Sequence, residues 1–384
     1  MLIKRWFYFL ASILLGLQFV ACDKSGSGYP DGPEGKGEIE ALVLNEGLIN
    51  TNMGDISVIY RNGTVIPNVF RDVNSRPMGD VAQSITRING KYFLAMNNSN
   101  KIEIVEPSTF KSLGTIKYAQ AGLPRQIVPI SETEAIVSDL NQQLVRIRTV
   151  EPYDEPLEYI SIPRWVEYMV VVENKLFCMT EGGLYVFDVN NIRKEATRVI
   201  RDIKNEENTK TCRMLVDRHN KIWALMNVRE NNEVTSISLS RINPVTEKVE
   251  AVYKLPIGDR VNPQPGEIIG AINYNRTDID LTGTWVYFNV KTCVRKTDFS
   301  GVLSQQSVYR INVDTGEFEH YRDLPGANMM YGFAVSPTGD VYLCDCLDYS
   351  AQRGYIRHYK KDESIVSYRV GVYPGQVYFP ELDN

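Results

Sequence analysis

Histidine is nearly absent: His219, His320 and His358 are the only three in 384 residues, and no two have the spacing of metal ligands. That leaves no material for a histidine zinc site and little for general-base chemistry. There is no G-x-S-x-G elbow, no glycine-rich phosphate loop and no Cys-x-x-Cys, which argues against the common serine hydrolase, nucleotide-binding and dithiol classes. A surplus of positive charge is missing too. Lys and Arg number 42 against 47 Asp and Glu, a net charge of −5, so no nucleic acid partner is expected. Cysteine is also scarce. Apart from Cys22 there are Cys178, Cys212, Cys293, Cys344 and Cys346, an odd number that cannot pair completely. Cys344-Asp345-Cys346 puts two sulfurs on one face of a strand end, and they read as buried small side chains rather than a metal or redox pair. Asp278-Ile279-Asp280 offers two carboxylates without further ligands and reads as a solvated turn rather than a calcium site. The expectation is therefore no catalytic residue, no metal and no cofactor: a binding protein, not an enzyme.

Long apolar runs are limited to one, at the N-terminus. Lys4 and Arg5 precede a stretch from Trp6 to Ala21 broken only by Ser12, Gly16 and Gln18, which ends in Phe19-Val20-Ala21-Cys22. Short length and a small residue before the break mark residues 1–21 as a signal peptide rather than a transmembrane helix. A cysteine directly after that small residue, followed by the polar stretch Asp23 to Gly28, resembles the lipobox of bacterial lipoproteins and makes Cys22 the expected lipidation site. Residues 22–38 are dense in Gly, Pro, Ser and charge, with almost nothing to bury, and read as a flexible tether. Residues 39–384 show no second such linker, so one domain is the simplest count. Its length favours a repeat architecture.

What is abundant is strand-forming material. Twenty-two Tyr, four Trp and 43% hydrophobic residues lie in short aromatic and β-branched runs separated by turn residues, an all-β pattern. One unit recurs seven times, in Ala41 to Phe70, Lys91 to Ile116, Glu134 to Ile162, Asn174 to Ile200, Asn220 to Leu255, Gly283 to Leu324 and Gly339 to Val370. A further strand precedes six of them, in DVAQSITRI, RQIVPIS, VEYMVVV, CRMLVD, EIIGAINY and YGFAVSP. The first unit lacks one, and the missing strand stands at the other end of the chain as Gly375 to Phe379. The expected fold is a seven-bladed β-propeller closed by a C-terminal strand that completes the first blade, leaving no open sheet edge.

Blade topology then sorts the loops. The fourth-to-first and second-to-third connections share one face, and here they are the long ones, whereas tight turns such as Asn89-Gly90 and Asp314-Thr315-Gly316 fall on the other. Long loops over a rigid scaffold are where binding is usually placed. The first-strand entrances on that face carry Arg76, Arg125, Arg164, Trp165, Met330, Tyr331 and Tyr373; the other loops carry Asn97 and Asn98. These candidate ligand-binding residues combine flat apolar surface with amide and guanidinium donors. That suits a bulky, polar-fringed ligand or a protein surface. The carboxylates Glu46, Asp139, Glu181 and Asp345 are spread over different blades and would act as hydrolase acids only if the fold paired them.

The segments ALVLNEG, RPMGDVAQSI, KYFLAMNNSNKIEIVEPSTFK and LPRQIV resemble the YncE-like seven-bladed propeller lipoproteins of gut Bacteroidetes, most clearly from Ala41 to about Val128. Within that family the likeness is to the BtuG type of surface cobalamin-binding lipoprotein. The resemblance implies a protein that captures cobalamin (vitamin B12) or a related corrinoid over the loop face, as bound ligand and not cofactor. It further implies delivery to a TonB-dependent transporter of the BtuB type, from an outer-membrane, lipid-anchored position facing the cell surface. Two alternatives stay open: a propeller scaffold for another ligand or protein partner, and a propeller lyase or hydrolase.

Overall fold

The computed structural model describes residues 37–166, 168–180, 182–193, 195–203, 213–230, 233–255, 267–271, 276–296, 302–326, 330–348 and 350–380. Positions 226–230, 233–237, 255, 267–271, 291–296 and 302–305 are described by their backbone alone. The signal sequence, Cys22 and nearly all of the tether lie outside the described residues, as do Glu181, Cys212 and the side chain of Cys293.

Seven antiparallel sheets, each built on four strands, form a seven-bladed propeller. The fourth blade shows the unit plainly, with Met169–Val172, Lys175–Thr180, Gly183–Asp188 and Arg198–Ile200 in order from the axis outward. Its second strand, KLFCMT, is buried at five consecutive positions. Alternate side chains explain why: Leu176 and Cys178 pack with blade 3, while Phe177 and Met179 pack with blade 5. A strand covered on both faces by neighbouring sheets has to be apolar throughout, which is why the middle strands lack the polar alternation of a half-exposed sheet. Each described core cluster joins two adjacent blades in this way, so the hydrophobic core is a ring of inter-blade seams.

The ring closes where the sequence places the closure. Pro374–Tyr378 pairs with Ile39–Asn45, with Val43 opposite Val377 and Leu44 opposite Gln376. Two further backbone bonds extend the seam, Glu46 N to Tyr373 O (2.8 Å) and Gly47 N to Val372 O (2.9 Å). The outer strand of this blade shrinks to Val65–Ile66 and is followed by a short helix, Val69–Asn74, where the repeat pattern implies strand. The helix begins there because Asp55, at the start of the neighbouring strand, accepts the free amides of Phe70 (3.0 Å) and Arg71 (3.2 Å). Those are first-turn donors with no partner inside the helix.

Blade 6 departs from the repeat. The segment EIIGAINY gives a strand at Glu267–Ala271, but this pairs with the far end of the second strand, Thr292 to Lys296. The near end, Val286 to Phe288, pairs with a separate three-residue strand, Thr277–Ile279. Thr277–Ile279 holds the innermost place: Thr277 Oγ1 donates to Arg213 O of blade 5 (2.7 Å) and Asp278 Oδ2 accepts Val335 N of blade 7 (2.8 Å). The second and third strands of blades 5 and 6 are also long, nine and eleven residues in Ile222–Glu230 and Glu233–Asn243, twelve and eleven in Trp285–Lys296 and Val302–Asn312. Six is usual in the other blades, as in Lys175–Thr180. At about 3.3 Å per residue the surplus carries these hairpins roughly 10–20 Å past their neighbours, on the loop face.

Candidate binding site at the channel mouth

All seven blades contribute to one cavity on the propeller axis. Its lining includes Glu46, Gly375 and Gln376 from blade 1, Gln83 from blade 2, Arg125 and Gln126 from blade 3 and Gly332 from blade 7. Tyr168, Arg213 and Arg276 also line it, each one or two residues before the first strand of blade 4, 5 or 6. These side chains reach the axis because they sit at the loop-face ends of the innermost strands, where the strands crowd together. At the closure the crowding leaves room for backbone only: a Cβ on Gly332 would lie 2.3 Å from Gly375 O. The cavity that remains has a volume of about 150 Å³.

A belt of polar contacts runs around this mouth. Arg125 Nη1 donates to Gln83 Oε1, Gln83 Nε2 to Glu46 Oε1 (3.4 Å), and the Tyr331 hydroxyl to Glu46 Oε2 (2.8 Å). The Arg276 guanidinium lies 5.6 Å from the Tyr331 ring centroid, and its Nη1 donates to the Tyr168 hydroxyl (3.3 Å). Arg213 Nη1 stands 3.8 Å from Asp278 Oδ1. Tyr373 meets Tyr331 edge to face at 5.4 Å. Burial, reinforced by the Glu46 carboxylate, pushes the Tyr331 phenol above its ordinary range, which keeps its proton in place as a donor. Burial also raises the carboxyl of Asp278 against the opposing pull of Arg213 and the Val335 and Ile279 amides.

Below the belt the inner strands are laced to one another by side chains. Gln376 Oε1 accepts Ile85 N (3.3 Å) and Gln126 Oε1 accepts Met169 N (2.5 Å), each reaching into the next blade. Ser84 Oγ donates to Arg125 O (2.5 Å) and Thr86 Oγ1 to Ile127 O (3.0 Å). These bonds tie neighbouring inner strands together and hold the mouth residues on a fixed frame.

Of the residues singled out from the sequence, the structure brings Arg125, Tyr331 and Tyr373 together at the mouth. Arg164 is exposed and Trp165 half-buried on the loop before blade 4. Arg76 turns to the outer part of blade 2, where it pairs with the buried Glu103 (2.6 Å) beside Lys101 and lies over Phe70 (4.9 Å). Asn97 is buried and bonds Pro124 O (3.1 Å), tying blade 2 to blade 3. Asn98 bonds Asp80 Oδ2 (2.6 Å) and Asn50 Oδ1 (3.0 Å), linking the loops of blades 2 and 1. Met330 is core, packed between blades 6 and 7. Among the carboxylates, Asp139 is buried and raised, accepting Leu123 N and Asn141 N, and Asp345 pairs with Arg357 (2.7 Å). Among the described carboxylates singled out from the sequence, Glu46 alone lines the axial cavity. Cys178, Cys344 and Cys346 are buried free thiols, each pushed up by burial. Among the described residues no group of three His, Cys, Asp or Glu could hold a metal ion.

Sequence reasoning missed Gln83, Gln126, Gln376, Tyr168, Arg213 and Arg276. The glutamines left a trace: Pro124-Arg125-Gln126-Ile127 and Pro374-Gly375-Gln376-Val377 repeat one pattern at one place in the blade, and Ala82-Gln83 falls near the same place. Arg276 is hidden because the strand pattern of the sequence points to the earlier EIIGAINY and not to Thr277–Ile279.

Solved structures similar in fold include a candidate 6-phosphogluconolactonase from Bacteroides fragilis, 10% identical, covering 90% of this chain and 99% of that one, with a TM-score of 0.62. A functionally unknown protein from Desulfotomaculum acetoxidans is 11% identical over 89% and 98% of the two chains, with a TM-score of 0.58. Hydrazine synthase from Kuenenia stuttgartiensis is 13% identical over 76% and 88%, with a TM-score of 0.57. At these identities the likeness is one of fold alone. No curated protein matches the sequence. A family profile does match, over residues 40–317, which run from the first strand into the third-to-fourth turn of blade 6. The chain therefore belongs to the family described as a domain of unknown function, DUF5074.

Proposed function

We propose that this propeller captures a bulky, polar-fringed ligand on its loop face, with cobalamin or a related corrinoid as the first candidate, and does so as a binding protein rather than an enzyme. The observation that carries the reading is the channel mouth itself, where guanidinium, amide and phenol groups converge from all seven blades. A corrin ring is too large for a cavity of about 150 Å³, so it would lie across the mouth with Trp165 and Tyr331 as apolar surface and its amide arms on Gln83, Gln126 and the arginines. The resemblance of Ala41 to Val128 to corrinoid-binding propeller lipoproteins supports the same candidate. Lipidation at Cys22 would hold the protein at the outer membrane. The long hairpins of blades 5 and 6 would flank the ligand and meet a TonB-dependent transporter.

Isothermal titration of the purified protein with cyanocobalamin, with cobinamide and haem as comparators, tests this reading. One-to-one binding of the corrinoids alone is expected, weakened about tenfold by Trp165→Ala or Tyr331→Ala. Absence of heat and of any change in thermal midpoint at excess corrinoid would overturn it.

A further inference from the structure

We propose that the channel mouth is an oxyanion site, in which Arg125, Arg213 and Arg276 receive a carboxylate or phosphate group of the ligand. The inference rests on the loop face being the ligand-binding face, and it names the chemistry recognised at its centre. Three guanidiniums from blades 3, 5 and 6 line one small cavity. Two carboxylates stand near them, Glu46 and Asp278. Glu46 already accepts the Tyr331 hydroxyl and Gln83, and Asp278 already accepts the Val335 and Ile279 amides. Three guanidiniums against two carboxylates leave the mouth a formal surplus of one positive charge, within a chain whose net charge is −5.

A pocket with a surplus of positive charge concentrates anions at that point. The planar guanidinium matches the paired oxygens of a carboxylate or phosphate, and hydrogen bonds between them are charge-assisted. Arg213 is free to turn toward such a group: its side chain is 54% exposed and its contact with Asp278 is a long 3.8 Å. Gln83, Gln126 and Tyr168 supply neutral groups around the same space. The cavity's size is compatible, since about 150 Å³ is room enough for one small oxyanion. The anion stops at the mouth because the hydroxyls of Ser84, Thr86 and Thr277 just below are bonded to backbone carbonyls.

The test titrates the full chain with inorganic phosphate and, separately, with propionate, against sodium chloride at equal ionic strength, reading heat and thermal midpoint. Saturable binding of at least one of the two, weaker by about tenfold or more in both Arg213→Gln and Arg276→Gln, is expected. Arg213→Lys, which keeps the charge, should retain part of the affinity. Saturation by phosphate alone assigns a phosphoryl group, and saturation by propionate alone a carboxylate. If neither anion differs from chloride, or if both glutamine variants bind as the parent does, the proposal fails. Arg213→Gln touches an exposed side chain and guards against misfolding of the Arg276 variant. No corrinoid enters this experiment, so an anion response without corrinoid binding would refute only the capture reading, and the converse only the oxyanion site.

Discussion

Asp55 shows how far one residue's chemistry depends on its surroundings. It is buried at the start of a strand, where its carboxyl receives the Ile56, Phe70 and Arg71 amides, yet desolvation prevails and pushes it from 3.8 up to about 7. The folded chain then keeps a proton that the unfolded chain releases, so this group favours folding at low pH. Its contribution falls as pH rises between about 4 and 7 and is flat above. Urea denaturation across that range should show Asp55→Asn with a shallower loss of stability than the parent, by on the order of a few kcal/mol over the interval. Identical slopes would remove Asp55 as the cause. Asp139 and Asp278 act in the same direction in both proteins, so the comparison isolates Asp55. The same dependence on surroundings explains which candidate residues could be read in advance. Arg76 and Arg125 occupy similar first-strand entrances in the sequence, but one turns outward to a buried glutamate and the other inward to the axis. Composition cannot separate them, because the loop path between blades decides the direction.

The strand that closes the ring is an element whose role was legible, since a first unit without a first strand and a spare strand at the other end of the chain have one economical solution. Its energetic weight lies in Val377 and Phe379, which pack into the seam between blades 7 and 1, with Phe379 edge-on to Tyr342 at 5.0 Å. Phe379→Ala should cost about 3–5 kcal/mol, read as a lowered urea midpoint with an unchanged slope. Deleting residues 374–384 would in addition bare the edge of Ile39–Asn45 and should promote self-association, visible by light scattering. A variant lacking these residues that stayed monomeric and kept the parent's midpoint would contradict the closure argument. Blade 6 was the less legible element. EIIGAINY has the pattern of an inner strand and does form a strand, Glu267–Ala271, but the innermost place between blades 5 and 7 goes to the three-residue Thr277–Ile279. Local propensity reports that a strand will form and not which partner it takes.

At the scale of the whole molecule, burial lies between blades rather than within them, so no blade should melt alone. Phe93 has no exposed surface and packs in the seam between blades 2 and 3, with Tyr153 edge-on at 6.0 Å. Phe93→Ala should lower a single calorimetric transition, by about 3–5 kcal/mol of stability, instead of splitting it. A second transition would mean that the blades unfold independently. The sequence by itself determined the class, the sevenfold repetition and the means of closure, because aromatic and β-branched runs, turn residues and strand count are written locally along the chain. Only the tertiary structure decided the channel mouth. Glu46, Gln83, Arg125, Tyr168, Arg213, Arg276 and Tyr331 lie far apart along the chain and become neighbours only when the last strand meets the first, so their shared chemistry belongs to the closed ring and to none of its parts.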